Sequence, residues 1–439
     1  MRYENTRGGA ERVGFKQATL AGLAPRGGLY WPTEFPQVNL KELWGKGYID
    51  IAAAIFEIFA PDISKRNMRR ILEKTYTKEV FGDERITPVD FFHGRLARLQ
   101  LANGPTLSFK DVALQLAPNI IEHILDELDD VLNVVLATSG DTGSAAQFGV
   151  MNRPRMSVIT LSPEGRMSYE QRRQMYTNAA SNVHNIRVRT TFDGCQALVK
   201  ELFQDEAFKK LYRLGALNSI NWCRIAAQVV YYFAGYMQAA KSCGERITFV
   251  IPSGNFGNAL SAFVAKMLGL PVDIIVATNE NDVLDEFFKT GIYRVRDEVK
   301  TTSSPSMDIQ AASNFERFIA DILGRDGARV TQLWDDVKKR GQFDGRFMLE
   351  SARAMMSSGS ASNDDVLRAI RYAYEQYEVI LDPHTACAFA VAHYQRRLSQ
   401  TMVVVETALR GDGASGKVPG NDRRGNRSAT GSSSVTRTA

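Results

Sequence analysis

The sequence predicts an α/β protein built on parallel sheet and arranged as two lobes with a cleft between them. Short, nearly continuous apolar runs at 131–138, 156–162, 247–252 and 272–278 alternate with stretches of helical periodicity. That is the pattern of buried parallel strands covered by helices on both faces. The alternation comes in two series, one around 100–200 and one from about 215 onward. A length of 439 residues suits two or three domains of roughly 100–200 residues each, or one large α/β body.

After a loop-rich opening, NIIEHILDELDD (119–130) places apolar residues at helical spacing, and VLNVVLAT (131–138) is a β-branched run that reads as a buried strand. A Gly-rich turn and a small-residue segment, GSAAQFGVM (143–151), then predict a helix packed closely on the sheet. MSVITLS (156–162) reads as a strand and SYEQRRQMYT (168–177) as a helix. ITFVIP (247–252) and VDIIVAT (272–278) repeat the strand pattern around a helix near 258–269. The segment 300–380 reads as mostly helical, with DDVLRAIRYAYEQYEVI (364–380) its clearest amphipathic stretch. The expected division is an N-terminal region packing on the core (1–95), one α/β lobe (96–215) and a larger lobe with a helical insertion (216–409). Residues 410–439 have no apolar periodicity, and their composition predicts a disordered tail.

Composition narrows the function classes. Apolar residues make up 44% and charged residues 23%, which excludes a wholly disordered chain. No stretch approaches the ~20 apolar residues of a membrane helix, and the polar N-terminus lacks the apolar run of a signal peptide. The net charge is +5, but six basic and two acidic residues between Arg410 and Ala439 place +4 of it in the tail. A nearly neutral body gives no electrostatic case for nucleic acid. The four cysteines show no metal-type pairing and read as reduced thiols, which points to the cytoplasm. The five histidines have no metal spacing; each reads as a surface or capping residue, and no metal is expected.

Three segments carry chemistry. In TLSFKDVALQ (106–115), Lys110 follows Phe109 and precedes a helix start at Asp111. A lysine in apolar surroundings becomes an amine nucleophile suited to a Schiff base, whereas a lone lysine at a helix N-terminus more commonly keeps its head in water. In ATSGDTGSAA (137–146), a strand ends and a helix opens, so backbone N–H groups and the hydroxyls of Thr138, Ser139 and Thr142 could receive a carboxylate or phosphate. An ordinary turn with Asp141 or Thr142 as N-cap has the same composition. In IPSGNFGNALSAF (251–263), Gly254 and Gly257 allow close backbone approach to a phosphate, and Ser253, Asn255 and Asn258 add donors. The spacing matches neither dinucleotide nor Walker patterns, so a cup for one small phosphate is expected. Together a phosphate cup, a second anion loop and a nucleophilic lysine match pyridoxal 5′-phosphate (PLP) and an amino-acid substrate. Among other features, Asn221 and Arg224 stand at i, i+3, a spacing that suits a phosphate fork or a structural ion pair. Tyr231, Tyr232 and Phe233 read as core, and Arg166, Arg172 and Arg173 as surface or bridging charges.

Over 1–409 the chain resembles the threonine synthase family, PLP enzymes of the tryptophan synthase β-like fold type, in its bacterial and fungal branch. The resemblance rests on GLAPRGGLYWP (22–32), GPTLSFKDVALQ (104–115), ATSGDTGSAA (137–146) and EQRRQM (170–175). It continues through LGALNSINWCRI (214–225), PSGNFGNALSAFVAKMLGLP (252–271), ATNENDVL (277–284), SPSMDIQAASNFERF (304–318) and LDPHTA (381–386).

The resemblance implies PLP in the cleft between the lobes, bound covalently by Lys110, with its phosphate held by Gly254, Asn255, Phe256, Gly257 and Asn258. It places Ser139, Asp141 and Thr142 on the loop facing the substrate carboxylate and the O3′ side of the cofactor; Asn221 and Arg224, by their spacing, are the candidates for the substrate phosphate. The implied reaction converts O-phospho-L-homoserine and water to L-threonine and phosphate, in a monomer or a dimer. A threonine dehydratase-like enzyme or phospho-lyase would share the lysine and the cup, and a PLP-binding pseudoenzyme would bind without turnover.

Two departures stand out. Ala102 and Asn103 replace the Phe-His that usually precedes the family's Gly-Pro-Thr. At the C-terminus the family's Thr-Ala-His-Pro-Ala-Lys-Phe, whose threonine faces the pyridine nitrogen, is matched only by Thr407 in MVVVETA (402–408). Permissible codons from Asp412 onward, read one base later, spell Thr-Ala-His-Arg-Gly-Lys-Phe-Pro-Glu-Thr-Ile. The expectation is a coding frameshift, with Thr407 one of two candidates for the ring-nitrogen contact.

Overall fold

Two parallel sheets organise the chain. In the larger, six strands run in the order Ser357–Ser360, Val272–Thr278, Ile247–Pro252, Met402–Glu406, Leu96–Gln100, Val89–His93. All neighbours are parallel except the last pair. The smaller sheet has four parallel strands, Val183–Val188, Met156–Pro163, Leu132–Ala137 and Leu214–Gly215. The computed structural model describes residues 1–408 apart from 10, 139, 166, 168 and 396–398, and of 170, 192 and 193 the backbone only. Ser139, Arg166 and the whole tail 410–439, with its expected disorder and frameshift, lie outside the described residues. Among the described residues no helix is long and apolar enough to cross a membrane.

The central strands are apolar throughout because both of their faces are covered. Every residue of Ile247–Pro252 and Met402–Glu406 is buried. Between the sheets and the N-terminal region runs the helix Trp222–Ala239, with 16 of its 18 residues buried. Trp222 packs against the rings of Tyr3, Trp31 and Phe59, and its indole N–H donates to Tyr3 Oη at 2.9 Å. The N-terminal region is thereby fixed to the core.

Small residues permit a tight helix pair beside the smaller sheet. A Cβ on Gly149, in the helix Asp141–Val150, would stand 2.0 Å from the Leu114 carbonyl oxygen. Pro118, inside the helix Lys110–Leu128, has no N–H to offer that carbonyl. Proline and glycine together open one helix to close approach by the other.

The structure differs from the sequence reading in two places. Leu96–Gln100, expected to open the first lobe, pairs in register with Met402–Glu406 and so belongs to the larger sheet. Its partner lies about 300 residues away, and local pattern carries no trace of that pairing. Met1–Leu409 forms one compact unit, so the lobes are subdivisions of a single body. The segment 300–380 is helical at Phe315–Ile322, Gly327–Arg340, Leu349–Met355 and Asn363–Tyr377, but it also supplies the edge strand Ser357–Ser360. That strand reads SSGS and lacks the β-branched signal that marks its neighbours.

Candidate active site

Lys110 is delivered to the cleft by a locally closed loop. The buried Asp111 carboxylate accepts the Thr106 backbone N–H at 2.7 Å and the Thr106 hydroxyl at 2.9 Å. Burial pushes the Asp111 carboxyl up to about 6, against the lowering effect of these hydrogen bonds. Gly104 lies so close to Asp111 that a Cβ would stand 2.4 Å from Asp111 Cβ. This explains the spacing of Gly104, Thr106 and Asp111. From the other side, the Phe109 backbone N–H donates to the Thr407 carbonyl at 2.9 Å.

Lys110 Nζ does not sit in purely apolar surroundings, as its neighbours in sequence predicted. It lies 3.0 Å from Asp141 Oδ2, with the Phe109 ring 5.2 Å away on one side. Tertiary folding supplies this carboxylate from 31 positions along the chain. Asp141 also accepts the Ser306 hydroxyl at 2.6 Å and the Gln171 amide at 2.9 Å. Burial alone would raise its pKa, but the Lys110 charge and the donors from Ser306 and Gln171 outweigh it and hold the carboxyl well below its usual range.

The phosphate cup forms where the strand Ile247–Pro252 meets the helix Gly257–Met267. Phe256 takes a left-handed backbone with φ +62°, which turns successive amides of the loop toward one side. Its ring is fully buried against Phe315 and Phe318, so Phe256 anchors the cup and offers it backbone only. Gly254 passes under the Ser306–Met307 backbone, where a Cβ would lie 3.1 Å from Met307 Cα. Asn258 Oδ1 accepts the hydroxyls of both Tyr231 and Tyr232 at 2.5 Å, and this fixes the amide. The two tyrosines are core residues, as read from the sequence, and they also orient a donor of the cup. Asn258 Nδ2 and Ser253 Oγ are buried with no partner among the described residues.

Arg224 stands in the first turn of Trp222–Ala239 and is 3% exposed. Burial pulls its guanidinium down to about 10, partly offset by Tyr231 and Cys223, and it stays charged at neutral pH. It pairs with no carboxylate among the described residues; Nη1 reaches the Leu217 carbonyl at 3.4 Å, and Nε has no partner. An unpaired buried cation is costly unless an anion arrives. Asn221 has a different place from the one expected. It is the N-cap of the same helix, its Oδ1 accepting from Cys223 and its Nδ2 donating to the carbonyls of Thr19 and Ala216. With its amide spent on the backbone, it is not among the residues that line the cleft with Arg224.

Lys110, Asp141, Thr142, Arg224, the Gly254–Asn258 turn and Thr407 come together on one cleft. Ser219, Gln228, Ser306 and His384 also line it, and none of these was singled out by sequence reasoning. For Ser219, Ser306 and His384 the signal lay in the motifs around 214–225, 304–318 and 381–386, where no residue type announces a role by itself, and Gln228 lies outside all three. His384, expected to be a surface or capping residue, faces the cleft at 15% side-chain exposure. Asn314 and Arg317 hold the walls in register. Asn314 takes the Asn255 carbonyl at 3.1 Å and the Ser219 carbonyl at 3.0 Å, while Arg317 donates to Ile220 at 2.6 Å.

The residues present fit PLP. The cup offers unpartnered buried donors and a helix N-terminus to a phosphate, an arrangement that favours anions, and a lysine faces the same space. Two family models match the chain, one described as threonine synthase N terminus over residues 2–76 and one as pyridoxal-phosphate dependent enzyme over 93–407. A threonine synthase of Methylobacillus glycogenes is 44% identical over 93% of this chain and 90% of its own length. That of Corynebacterium glutamicum is 42% identical over 90% and 85%. The crystal structure of PLP-bound threonine synthase from Brucella melitensis superposes with a TM-score of 0.89 at 38% identity, covering 93% of this chain and 89% of that one. With matches of this extent running through the segments that build the cleft, the chain belongs to the threonine synthase family of pyridoxal-phosphate-dependent enzymes.

Proposed function

We propose that this chain converts O-phospho-L-homoserine and water to L-threonine and phosphate, and that Lys110 carries PLP and moves the protons of the reaction. The observation that supports this reading best is the convergence of Lys110, the Gly254–Asn258 turn and the unpaired Arg224 on one cleft. When bound, PLP supplies an electron sink for the pair left behind as C–H bonds of the amino acid break.

The chain's own residues do the rest. Lys110 Nζ, facing the cleft, would take and return protons at the substrate carbons. Asp141 holds that nitrogen in place and balances its charge when it is protonated. Asn258 Nδ2, Ser253 Oγ and the amides of 254–258 bind the cofactor phosphate. Arg224, on the same cleft as Ser219, takes the phosphate of the substrate, since the cup donors suffice for one phosphate and Arg224 carries a charge of its own. Thr142, on the cleft wall, would offer its hydroxyl to the substrate carboxylate, a task the family resemblance also gives to Ser139, and Thr407 would face the pyridine nitrogen of the bound cofactor. The four unpaired cysteines support a reducing, cytoplasmic setting.

Threonine and phosphate formed in equal amounts from phosphohomoserine, together with the visible absorbance of lysine-bound cofactor, are the expected results. Lys110→Ala should lose both. A 2-oxo acid as product would instead assign a dehydratase, and a cofactor band without turnover a pseudoenzyme. Absence of the band in the unmodified protein would remove the PLP assignment for Lys110. Resequencing the gene, with intact mass of the product, tests the proposed frameshift, which alters the reading from Asp412 onward.

A further inference from the structure

His384 has no task in the reaction as assigned above, yet it lines the cleft and both of its ring nitrogens are engaged. The Ser306 backbone N–H donates to Nε2 at 3.2 Å. An amide always donates, so Nε2 carries the lone pair and the ring proton sits on Nδ1. That nitrogen lies 3.1 Å from Asp382 Oδ1. Asp382 is itself fixed as the N-cap of the helix Pro383–Tyr394, and its other oxygen accepts the Thr385 hydroxyl. With both nitrogens occupied, His384 is not free to serve as acid or base.

What it holds is Ser306. The hydroxyl of Ser306 donates to Asp141 Oδ2 at 2.6 Å, and the same oxygen receives Lys110 Nζ at 3.0 Å. Behind Ser306 the turn Pro305–Met307 is closed by Asp308, which accepts Asn279 Nδ2 at 2.8 Å and the Thr302 hydroxyl at 2.6 Å. Asp141 and its other neutral donor, Gln171, stand on helices beside the smaller sheet. Ser306 and His384 come from segments that adjoin the larger one.

We propose that His384 is a positioning residue: as the Nδ1–H tautomer anchored by Asp382, it fixes the Ser306 turn so that the Ser306 hydroxyl holds Asp141 against Lys110. The chain of contacts runs Asp382, His384, Ser306, Asp141, Lys110, and it joins segments that adjoin the larger sheet to the Asp141 helix beside the smaller one. The assignment deepens the proposed function and rests on it for the task of Lys110.

The test is a double-mutant cycle on the PLP-loaded protein with His384→Ala, Ser306→Ala and the combination, plus His384→Gln. In the glutamine variant Oε1 can still accept the Ser306 amide. Each single alanine variant should lower kcat by about ten- to a hundredfold, the range of losing one hydrogen bond to a charged group. The KM for phosphohomoserine and the lysine-bound absorbance should change little. The double variant should be no slower than Ser306→Ala alone, because both substitutions cut one chain, and His384→Gln should recover most of the loss. In cofactor-free protein, ¹⁵N NMR of labelled histidine should show an Nδ1–H tautomer that disappears in His384→Gln.

Multiplying effects, a rise in KM with kcat intact, or an Nε2–H tautomer would each overturn the proposal. If the unmodified protein forms the lysine-bound band but no threonine, the reaction assignment fails. The same cycle, read in the rate at which phosphohomoserine shifts that band, then still decides the role of His384.

Discussion

The backbone N–H of Phe109 donates to the carbonyl of Thr407 at 2.9 Å. Almost 300 residues apart in sequence, the lysine segment and the end of the last strand form one wall of the cleft, reinforced by an antiparallel bridge between Ser108 and Ala408. The placement of Lys110 therefore depends on the strand Met402–Glu406 being in the sheet.

A chain cut before Met402 is expected to be insoluble, because it loses a central strand whose residues are all buried. Val404→Ala, at a fully buried position in that strand, should cost about 2–3 kcal/mol. Urea denaturation reads this as a lower midpoint with unchanged slope, while activity of the folded protein at low temperature should survive.

Asn258 is a donor whose aim depends on two tyrosines. Asn258→Ala should weaken PLP binding by roughly 10- to 100-fold, the loss of one hydrogen bond to a charged group. Asn258→Asp should weaken it further, since a carboxylate would then face the phosphate. Tyr232→Phe should cost several-fold with Asn258 intact. Fluorescence titration with PLP measures all three, and equal affinity for wild type and Asn258→Asp would take Asn258 out of the cup.

Replacing Arg224 separates binding from stability. Arg224→Gln should raise the KM for phosphohomoserine by roughly 10- to 100-fold and abolish competition by inorganic phosphate, with PLP affinity unchanged. Arg224→Met should leave the cofactor-free protein as stable or more stable, because it removes a buried cation that no carboxylate pairs among the described residues. Loss of PLP binding in these variants would move Arg224 to the cofactor phosphate.

Glu406 makes stability depend on pH. Burial pushes its carboxyl up to about 7; Arg98, 3.2 Å away, lowers it, and Asp382 and Asp90 raise it again. The folded state thus binds this proton more tightly than the unfolded chain. Its favourable contribution is complete below the unfolded value, near 4.5, and is lost as pH rises through about 7. The unfolding free energy of the wild type should fall from about pH 5 to pH 8 by a component that is missing in Glu406→Gln. Parallel pH profiles for the two proteins would place the proton elsewhere.

Elements whose character is written in consecutive residues were legible in the sequence. The strands at 132–137, 247–252 and 272–278, the helix after the Gly254–Asn258 turn and the close packing behind GSAAQFGVM all follow from apolar runs and small residues. Less visible were Leu96–Gln100 as a partner of Met402–Glu406 and SSGS as an edge strand, because both are defined by hydrogen bonds to distant chain. Asn221 was drawn to the site by its spacing from Arg224, while the fold used it to cap a helix. His384 looked like a capping residue and does follow a cap, but its ring is turned inward by Asp382 and Ser306.

The sequence by itself determined the α/β class, the lysine segment and the glycine-rich turn, since dihedral freedom and hydrophobic period are local properties of the chain. Only the tertiary structure decided which carboxylate meets Lys110, which buried arginine stays unpaired and which hydroxyls aim the Asn258 amide. Those are contacts between residues far apart in the chain. Their geometry is set by sheet order and helix packing, which no short window of residues encodes.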